Sequence, residues 1–552
     1  MGKIRLTIED RIHEYEPGLS LAEISRDFVR PERGPIVGAK IGNDLRDLWF
    51  VPTEDAEVAW IDLTHPDGTR IYARSLSFVL IRAVRELFPG ARVTIEHSLC
   101  KGIFGEIHHG RELTEEDVSA IAARMAEIIA GDEPFVKTEL PLEEAIALFA
   151  KDGQEDKVRL LKYRQVPKVK VYWCGRFPDY FYGYTVPRTG YLKIFGLRPY
   201  KPGFLLQFPL PEDPTALPSF VDQPKLARIF YEFERWGQIL EIDDVGALND
   251  NIAGGNGPEL IRISEALHEK KIAQIADMIY ANRERARVVL IAGPSSSGKT
   301  TFIQRLAIQL RVLGLRPITI SLDDYFVPRE KTPRGEDGKP DFEALAAIDL
   351  DLFNRQLLML LRGEEVVVPR YDFIQGRPAA NGRRLRLAER DGIILVEGIH
   401  GLNESLTPAI PREEKFKIYV SALTQLNLDH HNRIPTTDTR IIRRIVRDHK
   451  FRGHSALQTI RLWPGVRRGE ERNIFPFQEE ADVMFNSALP YELAVLRPFA
   501  EPLLREIGPE VEEYSEAKRL LKFLSYFLPL DTAEVPANSI LREFIGESCF
   551  HC

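Results

Sequence analysis

Residues 288–302, VVLIAGPSSSGKTTF, determine the fold of the C-terminal half of this chain. A continuous apolar run, typical of a buried parallel strand, leads into the pattern G-x-x-x-x-G-K-[ST], and a helical pattern follows. In such a loop the glycines let backbone N–H groups surround phosphate oxygens, and the following helix N-terminus adds partial positive charge. The stretch therefore predicts a triphosphate site formed by Gly293, Ser295, Ser296, Ser297, Gly298, Lys299, Thr300 and Thr301.

A loop of this kind occurs in motors, in switch GTPases and in small-molecule kinases, and the rest of the sequence favours a kinase. We find no N-K-x-D sequence to read guanine and no ABC-type signature, and the run IILVEG ends in Glu397 where a GTPase has D-x-x-G. We therefore expect ATP as the donor, with Lys299 reaching its β and γ phosphates. Thr300 is expected to supply an oxygen to Mg²⁺, which prefers hard ligands.

A kinase also needs a group that activates the acceptor, and the sequence SLDDYF at residues 321–326 offers one. It lies at the end of the second strand of this region, and the carboxyl ends of strands in an open α/β sheet face the ligand crevice. A carboxylate there can accept the proton of an attacking hydroxyl. Side chains alternate along a strand, so we expect one of Asp323 and Asp324 to face the site. The same pair could equally cap a loop.

The segment DTRIIRRIVRDHKFRG is strongly basic in a chain whose formal net charge is −8. From Arg433 to Arg472 there are eleven Lys and Arg against four Asp and Glu. We interpret the segment as a lid whose arginines neutralise charge as the γ-phosphoryl group moves. A solvated basic helix and a basic surface for RNA are the alternatives. Helical spacing predicts a shared face for Arg440, Arg443, Arg444 and Arg447.

The order of patterns along the chain predicts several domains. Strands alternating with helices at 286–490 predict an α/β domain with a parallel sheet, followed by a helical extension at 491–552. Residues 1–63 predict a small α+β unit that begins with a hairpin. Residues 64–205 predict a second α+β unit with one helix over 73–90 and another that begins at Thr114. Residues 206–285 read as a Pro-rich connector that ends in one helix.

Length and composition limit the class of protein. The chain has 552 residues, 44% hydrophobic and 28% charged, which fits about three or four soluble domains. A pI near 6.0 argues against a chain built wholly around nucleic acid. We see no secretory signal, no membrane-spanning run and no disulfide framework, so we expect a cytoplasmic protein, and we expect a homo-oligomer. Cys549 and Cys552 form an isolated C-x-x-C for which no partner ligands are evident.

The first 200 residues or so resemble the TGS domain, a β-grasp fold, and the second additional domain of threonyl-tRNA synthetase. The resemblance is carried by EYEPGLSLAEIS and AKIGNDLRDL in the first unit, and by HPDGTRIYARSLSFVL and YWCGRFPDY in the second. In that family a histidine pair and a later C-x-x-x-H perform editing. Here Arg74 and Phe78 stand at the pair, and Pro178 stands at the histidine position after Cys174. The resemblance therefore implies a binding or regulatory module without editing chemistry.

Residues 286–490 resemble the uridine kinase/phosphoribulokinase family. The ordered matches are GPSSSGKTTF, LDDYF, KPDFEALAAIDL, VPRYDF, ILVEGI and RRIVRDHKFRG. The resemblance implies transfer from ATP to a nucleoside hydroxyl, most simply the 5′-OH of uridine or cytidine. It places Asp323 as the base, with Lys299, Arg447 and Arg452 on the phosphates. Glu397 then joins Thr300 at Mg²⁺, Asp341 and Arg444 hold the ribose, and Tyr371 lies beside the base.

Two departures from this family leave the acceptor open. Nucleoside kinases of the family place a base-reading histidine where this chain has Gly376, and His454 replaces a later lid arginine. The acceptor is therefore a nucleoside or a similar small molecule, with another nucleoside or a polyol as an alternative. A different class of function, an RNA- or tRNA-associated regulatory ATPase that uses the synthetase-like modules, is the competing hypothesis.

Overall fold

The computed structural model describes residues 3–335, 338, 340–372, 375–424 and 426–550, so that Lys339 and Phe373 of the quoted motifs, and Cys552, lie outside the described residues. Residues 4–61 form a five-stranded sheet of order β2-β1-β5-β3-β4. The predicted hairpin is present, and its turn holds Glu9 and Asp10 at φ of 50° and 62°. The elements are β1 (Ile4–Ile8), β2 (Arg11–Tyr15), α1 (Leu21–Ile24), β3 (Gly38–Ile41), β4 (Asp44–Arg46) and β5 (Ala56–Ile61).

The second unit contains two antiparallel sheets, of orders β11-β12-β7-β6 and β10-β9-β8. Its first helix begins earlier than predicted, because Pro66 occupies the first turn and His65 Nδ1 accepts the N–H of Asp67 at 3.1 Å. Thr114 caps the second helix, as the sequence predicts, in a capping box with Asp117. The elements are α2 (Pro66–Leu87), β6 (Arg92–Leu99), β7 (Gly102–His108), α3 (Glu115–Ala130), β8 (Phe135–Pro141), α4 (Leu142–Lys151), α5 (Glu155–Lys162), β9 (Lys168–Cys174), β10 (Phe177–Tyr180), β11 (Gly196–Tyr200) and β12 (Gly203–Gln207).

The connector contains three helices rather than the single helix that the sequence predicts. They are α6 (Pro224–Leu240), α7 (Val245–Ala253) and α8 (Gly257–Ala281). The apolar face of α6, with Phe230 and Phe233, shares a hydrophobic cluster with Phe104 of β7 and with Tyr419 and Met484 farther along the chain. The connector therefore packs against both the synthetase-like unit and the C-terminal half.

The C-terminal half contains a five-stranded sheet of order β14-β19-β13-β20-β21, in which every pair is parallel. These five strands are the five that the sequence predicts, and the strand before the phosphate loop, β13, is central. The elements are β13 (Val288–Ala292), α9 (Lys299–Val312), β14 (Arg316–Ser321), α10 (Leu350–Leu361), β15 (Glu365–Val368), β16 (Tyr371–Asp372), β17 (Arg377–Pro378), β18 (Arg383–Arg386), β19 (Gly392–Glu397), β20 (Lys415–Ser421), α11 (Thr436–Arg452), α12 (Ala456–Asn473) and β21 (Val483–Asn486).

The chain ends in α13 (Glu492–Arg505), α14 (Tyr514–Leu524) and α15 (Arg542–Ile545). One hydrophobic core extends from α4 and α5 through α8 and the parallel sheet into these last helices. Phe149, Ile275, Phe302 and Phe544 are among its buried members. Over the described ranges, no helix combines the length and the apolar character that crossing a bilayer requires.

Candidate active site

The phosphate loop connects β13 to α9, and glycine is required at both of its ends. A Cβ at Gly293 would lie 1.9 Å from the carbonyl oxygen of Val420. Gly298 has a φ of +82°, in the left-handed region that favours glycine. Lys299 folds back over the loop, because its Nζ donates to the carbonyl oxygens of Gly293 at 2.8 Å and Pro294 at 3.1 Å. The local sequence thus fixes a tight loop with its lysine at the rim.

The interior of this loop fits a bound anion. The hydroxyl oxygens of Ser296 and Ser297 are buried and have no hydrogen-bond partner among the described residues. Buried polar groups are normally paired, so these two hydroxyls suit the oxygens of a phosphate. The N–H of Ser295 is held by Glu470 Oε1 at 3.1 Å, and its hydroxyl accepts from Arg444 Nη1 at 2.7 Å. Arg444, expected at the ribose, therefore contacts the phosphate loop.

Thr300 and Glu397 come together as the sequence analysis expects for a magnesium site. Thr300 Oγ1 lies 3.5 Å and 3.4 Å from the two carboxylate oxygens of Glu397, which ends the neighbouring strand β19. Burial raises the pKa of Glu397 to about 7, Lys299 opposes this shift, and Asp323 adds to it. The pair offers hard oxygens beside the phosphate loop, the ligands that Mg²⁺ prefers, so these residues fit that ion.

Asp323 lies in a different local structure from the one predicted. The strand ends at Ser321, and Leu322–Tyr325 form a turn of 3₁₀-helix that contains both aspartates. Asp323 is open to the cleft, and desolvation by the surrounding protein raises its pKa against the opposing effect of Lys299, Arg452 and Arg447. Asp324 turns away, and its Oδ1 accepts the backbone N–H of Tyr371 at 3.3 Å. The turn, rather than strand alternation, separates the two carboxylates.

Helix α11 turns its arginines toward the phosphate loop: Arg440, Arg443 and Arg444 each contact Ser295 or Ser296, so the predicted shared face holds for these three and lies against the loop rather than exposed as a lid. Arg440 and Arg443 are fully buried beneath the phosphate loop. Arg440 pairs with Glu470 and donates to Ser295 O at 3.0 Å. Arg443 pairs with Glu492 at 2.6 Å and donates to the loop carbonyl of Ser296 at 3.3 Å. Burial is possible because each guanidinium has a carboxylate and carbonyl partners.

Arg444, Arg447 and Arg452 of α11 each form an ion pair with one carboxylate, Asp448. The sequence analysis did not identify Asp448. Asp448 is fully buried, and its oxygens lie 2.8 Å from Arg447 Nη2, 3.2 Å from Arg444 Nε and 3.6 Å from Arg452 Nε. Spacing of four residues on both sides of Asp448 was the available signal. Burial lowers the pKa of Arg444 and of Arg452. The cluster directs positive charge toward Asp323 and the phosphate loop.

Asp341 and Tyr371, which are expected at the acceptor, contact residues outside the phosphate loop. Asp341 Oδ1 accepts the N–H of Glu343 at 3.1 Å, and Oδ2 lies 3.5 Å from Arg472 Nη1. Tyr371 is buried and packs edge-on against Phe326, with ring centroids 5.6 Å apart. Glu343, which the sequence analysis did not select, is a half-buried carboxyl whose pKa burial raises to about 7.

Gly376, at the position of the expected base-reading histidine, has a backbone conformation that favours glycine and lies against the side chain of Arg329. Its φ is +69°, and its carbonyl accepts the N–H of Arg329 at 2.8 Å. A Cβ there would lie 2.7 Å from Arg329 Nε. The guanidinium stem of Arg329 therefore occupies the space beside Gly376, and this residue too was missed.

Arg74 and Phe78, which stand where the editing histidines were expected, make packing and hydrogen-bond contacts within the synthetase-like unit. Arg74 donates to the carbonyl oxygen of Tyr184, and its guanidinium lies 5.5 Å from the Tyr182 ring. Phe78 is fully buried between Phe135 and Phe181. At the end of the chain, Cys549 is an exposed free thiol.

Comparisons with known proteins agree with this division into two halves. Residues 288–493 match the model of the phosphoribulokinase/uridine kinase family. The chain is 32% identical over 198 residues to a threonine–tRNA ligase of Polaromonas naphthalenivorans, a match that covers 35% of this chain and 31% of that protein. It is 33% identical to the corresponding ligase of Acidovorax sp., with the same coverage. The chain thus spans about a third of the length of these relatives.

Among solved structures, the chain is similar to a possible uridine kinase from Bacillus stearothermophilus, with 21% identity and a TM-score of 0.27 over 39% of this chain and 98% of that one. It is also similar to a D-glycerate 3-kinase from Cryptococcus neoformans, with 16% identity and a TM-score of 0.28 over 38% and 90% of the two chains. Residues 288–493 thus match the phosphoribulokinase/uridine kinase family, and the N-terminal region is similar to part of the threonine–tRNA ligases.

Proposed function

We propose that this chain transfers the γ-phosphoryl group of ATP to a nucleoside hydroxyl, the 5′-OH of uridine or cytidine. The observation that carries the proposal is the position of Asp323. Its carboxylate lies at the same sheet edge as the phosphate loop and the Thr300–Glu397 pair, within the electrostatic reach of Lys299, Arg447 and Arg452. A base and several cations around one open cleft are what transfer to a hydroxyl requires.

Each residue has a chemical role in this proposal. Asp323 accepts the proton of the attacking hydroxyl, and its raised pKa makes it a stronger base than an aspartate with the ordinary pKa. The loop N–H groups hold the phosphates, while Lys299 and the arginines held by Asp448 stabilise negative charge on the transferring group. Thr300 and Glu397 would hold Mg²⁺, which would supply further neutralisation of phosphate charge. The phosphoryl–oxygen bond to the donor breaks as the bond to the acceptor oxygen forms.

The test is Asp323→Asn, with Asp324→Asn as the matched control. We expect Asp323→Asn to lower the rate of phosphoryl transfer by about 10²–10⁴-fold, the usual contribution of a general base, while ATP binding persists. Asp324→Asn keeps an oxygen for the Tyr371 N–H and should retain most activity. Transfer at an undiminished rate by Asp323→Asn would remove Asp323 from the proposed role.

The acceptor is tested separately, because Gly376 and Arg329 replace the expected base-reading histidine. A panel of nucleosides and polyols is incubated with ATP and Mg²⁺, and products are identified by mass. Phosphorylated uridine or cytidine is the expected product. Phosphorylation of another member of the panel alone would refute the pyrimidine acceptor and retain the kinase.

The similarity to threonine–tRNA ligases favours one second candidate, a regulatory ATPase that binds tRNA through residues 1–205. Binding of this kind depends steeply on salt, because phosphate contacts release counterions. The measurement is tRNA affinity at two salt concentrations, for the full chain. Absence of binding beside robust nucleoside phosphorylation dismisses this candidate.

A further inference from the structure

The last residues of the chain contact the helix that follows the phosphate loop. Oε2 of Glu543 accepts hydrogen bonds from the backbone N–H of Thr301 at 3.2 Å and from its hydroxyl at 3.0 Å. Thr301 is the third residue of α9, so its N–H belongs to the first turn, which has no partner within the helix. Free N–H groups at this place in a phosphate loop bind nucleotide phosphates. A carboxylate of the chain itself therefore occupies a phosphate-binding position.

The segment that carries Glu543 lies directly on the loop. A Cβ on Gly298 would lie 2.4 Å from Cγ2 of Ile540, so this isoleucine covers the last glycine of the loop. Phe544 packs beneath the guanidinium of Arg443, 5.0 Å from its ring centroid, and Lys450 Nζ donates to the carbonyl of Ile545 at 2.6 Å. These contacts hold the segment that carries the carboxylate against the loop.

Glu543 is held less firmly than the other carboxylate that contacts the loop. Glu470, which binds the N–H of Ser295, is 1% exposed and fixed by Arg440 and by Arg467 at 2.9 Å. Glu543 is only half-buried, and across the described part of the chain no lysine or arginine forms an ion pair with it. Its hydrogen bonds come from the pair of donors on Thr301, and its charge interacts with Lys299; a phosphate group would also use these groups. Two anions cannot share one N–H donor, so binding of the two is mutually exclusive.

We propose that the C-terminal segment 536–550 is autoinhibitory: Glu543 takes the place of a nucleotide phosphate on Thr301, and ATP binds when Glu543 is displaced. The inference rests on the proposed function in one respect, that ATP is the donor. The apparent affinity for ATP is then the intrinsic affinity multiplied by the fraction of molecules in which Glu543 is displaced. Whatever moves this segment, a partner or another part of the chain, sets the activity of the kinase domain.

The test compares full-length Glu543→Gln with the native chain and with Glu547→Gln as a matched control. Glu547 lies on the same segment, is exposed, and contacts Arg542 rather than Thr301. Binding of a nonhydrolysable ATP analogue with Mg²⁺ is measured by calorimetry. We expect Glu543→Gln to bind about tenfold more tightly, as for loss of a closed form that holds about nine-tenths of the molecules. In the native chain, the analogue should speed amide hydrogen exchange at residues 540–546.

Equal or weaker binding by Glu543→Gln overturns the inference, as does an unchanged exchange rate at 540–546 in the native chain. Binding by neither form overturns both the inference and ATP as the donor. Tighter binding by Glu543→Gln, with Glu547→Gln unchanged, supports the inference even if no nucleoside is phosphorylated. That last result would refute the proposed acceptor alone.

Discussion

If Mg²⁺ binds at the proposed Thr300–Glu397 site, the carboxyl of Glu397 makes its affinity depend on pH near neutrality. Burial raises its pKa to about 7, and Mg²⁺ binds only the deprotonated form. The proton competes with the metal below that pKa and not above it, so affinity for Mg²⁺ rises as pH rises. We predict that the Mg²⁺ affinity of the ATP-loaded chain is about tenfold weaker at pH 6 than at pH 8, since about one carboxyl in ten is ionised at pH 6.

Titration calorimetry with Mg²⁺ at the two pH values measures this effect. Glu397→Gln, which cannot ionise, is the control and should bind Mg²⁺ weakly with little dependence on pH. Equal pH dependence in both forms would assign the effect to another group.

The backbone at Gly376 favours glycine over the expected histidine. Its φ of +69° disfavours any side chain, and a Cβ would also meet Arg329 at 2.7 Å. Gly363 has a similar φ of +79° but open space around it, so a substitution there measures the cost of the backbone conformation alone. We predict that Gly363→Ala costs about 1 kcal/mol of stability, the usual cost of a left-handed non-glycine residue. Gly376→Ala should cost more, and Gly376→His should not improve uridine phosphorylation. Thermal unfolding midpoints test whether Gly376→Ala is less stable than Gly363→Ala, and equal midpoints of the two variants contradict this ranking.

At the scale of elements, α11 combines a buried half beneath the phosphate loop with a second half whose arginines are organised by Asp448. We predict that Asp448→Asn lowers kcat by about 10-fold or more, because Arg444, Arg447 and Arg452 lose their common anchor and charge stabilisation depends on preorganised donors. Affinity for ATP should change less, since the loop N–H groups remain. Steady-state kinetics with ATP binding measured in parallel separate the two effects. Arg505→Gln, on an exposed ion pair of α13, is the control and should leave kcat unchanged. A loss of kcat matched by an equal loss of ATP affinity contradicts a positioning role.

The elements that the sequence predicts correctly depend on short-range patterns. The phosphate loop, the five strands of the parallel sheet and the capping box at Thr114 are each specified within about ten residues. Elements whose stability comes from distant partners were missed. Helix α6 is fixed by packing on β7 and β21, and the turn that carries Asp323 is not distinguishable from a strand end by local spacing. Contacts such as Glu543 with Thr301 join residues 242 positions apart, and no local pattern indicates them.

At the scale of the whole molecule, the synthetase-like unit and the kinase domain are joined by a buried network of charges. Lys157 of α5 is fully buried, with Nζ 3.1 Å from both Asp179 Oδ1 and Asp429 Oδ1. His431 Nδ1 lies 2.7 Å from Asp179 Oδ2. Burial alone would lower the pKa of Lys157, but Asp179, Asp429 and Asp156 outweigh it and hold that pKa above its ordinary value. Lys157 therefore stays charged and links the second unit to the loop that leads into α11.

This network predicts that a change far from the phosphate loop disturbs the kinase domain. We predict that Lys157→Met lowers stability by about 3–5 kcal/mol, because removing one partner leaves buried carboxylates uncompensated. Lys162→Met, five residues away on an exposed pair with Asp250, should cost less than about 1 kcal/mol. Thermal unfolding and limited proteolysis compare the two variants. Because Asp429 precedes α11, Lys157→Met should also lower phosphoryl transfer at temperatures where the chain remains folded. Normal transfer by a destabilised Lys157→Met would show that the N-terminal half stabilises the kinase domain without influencing its active site.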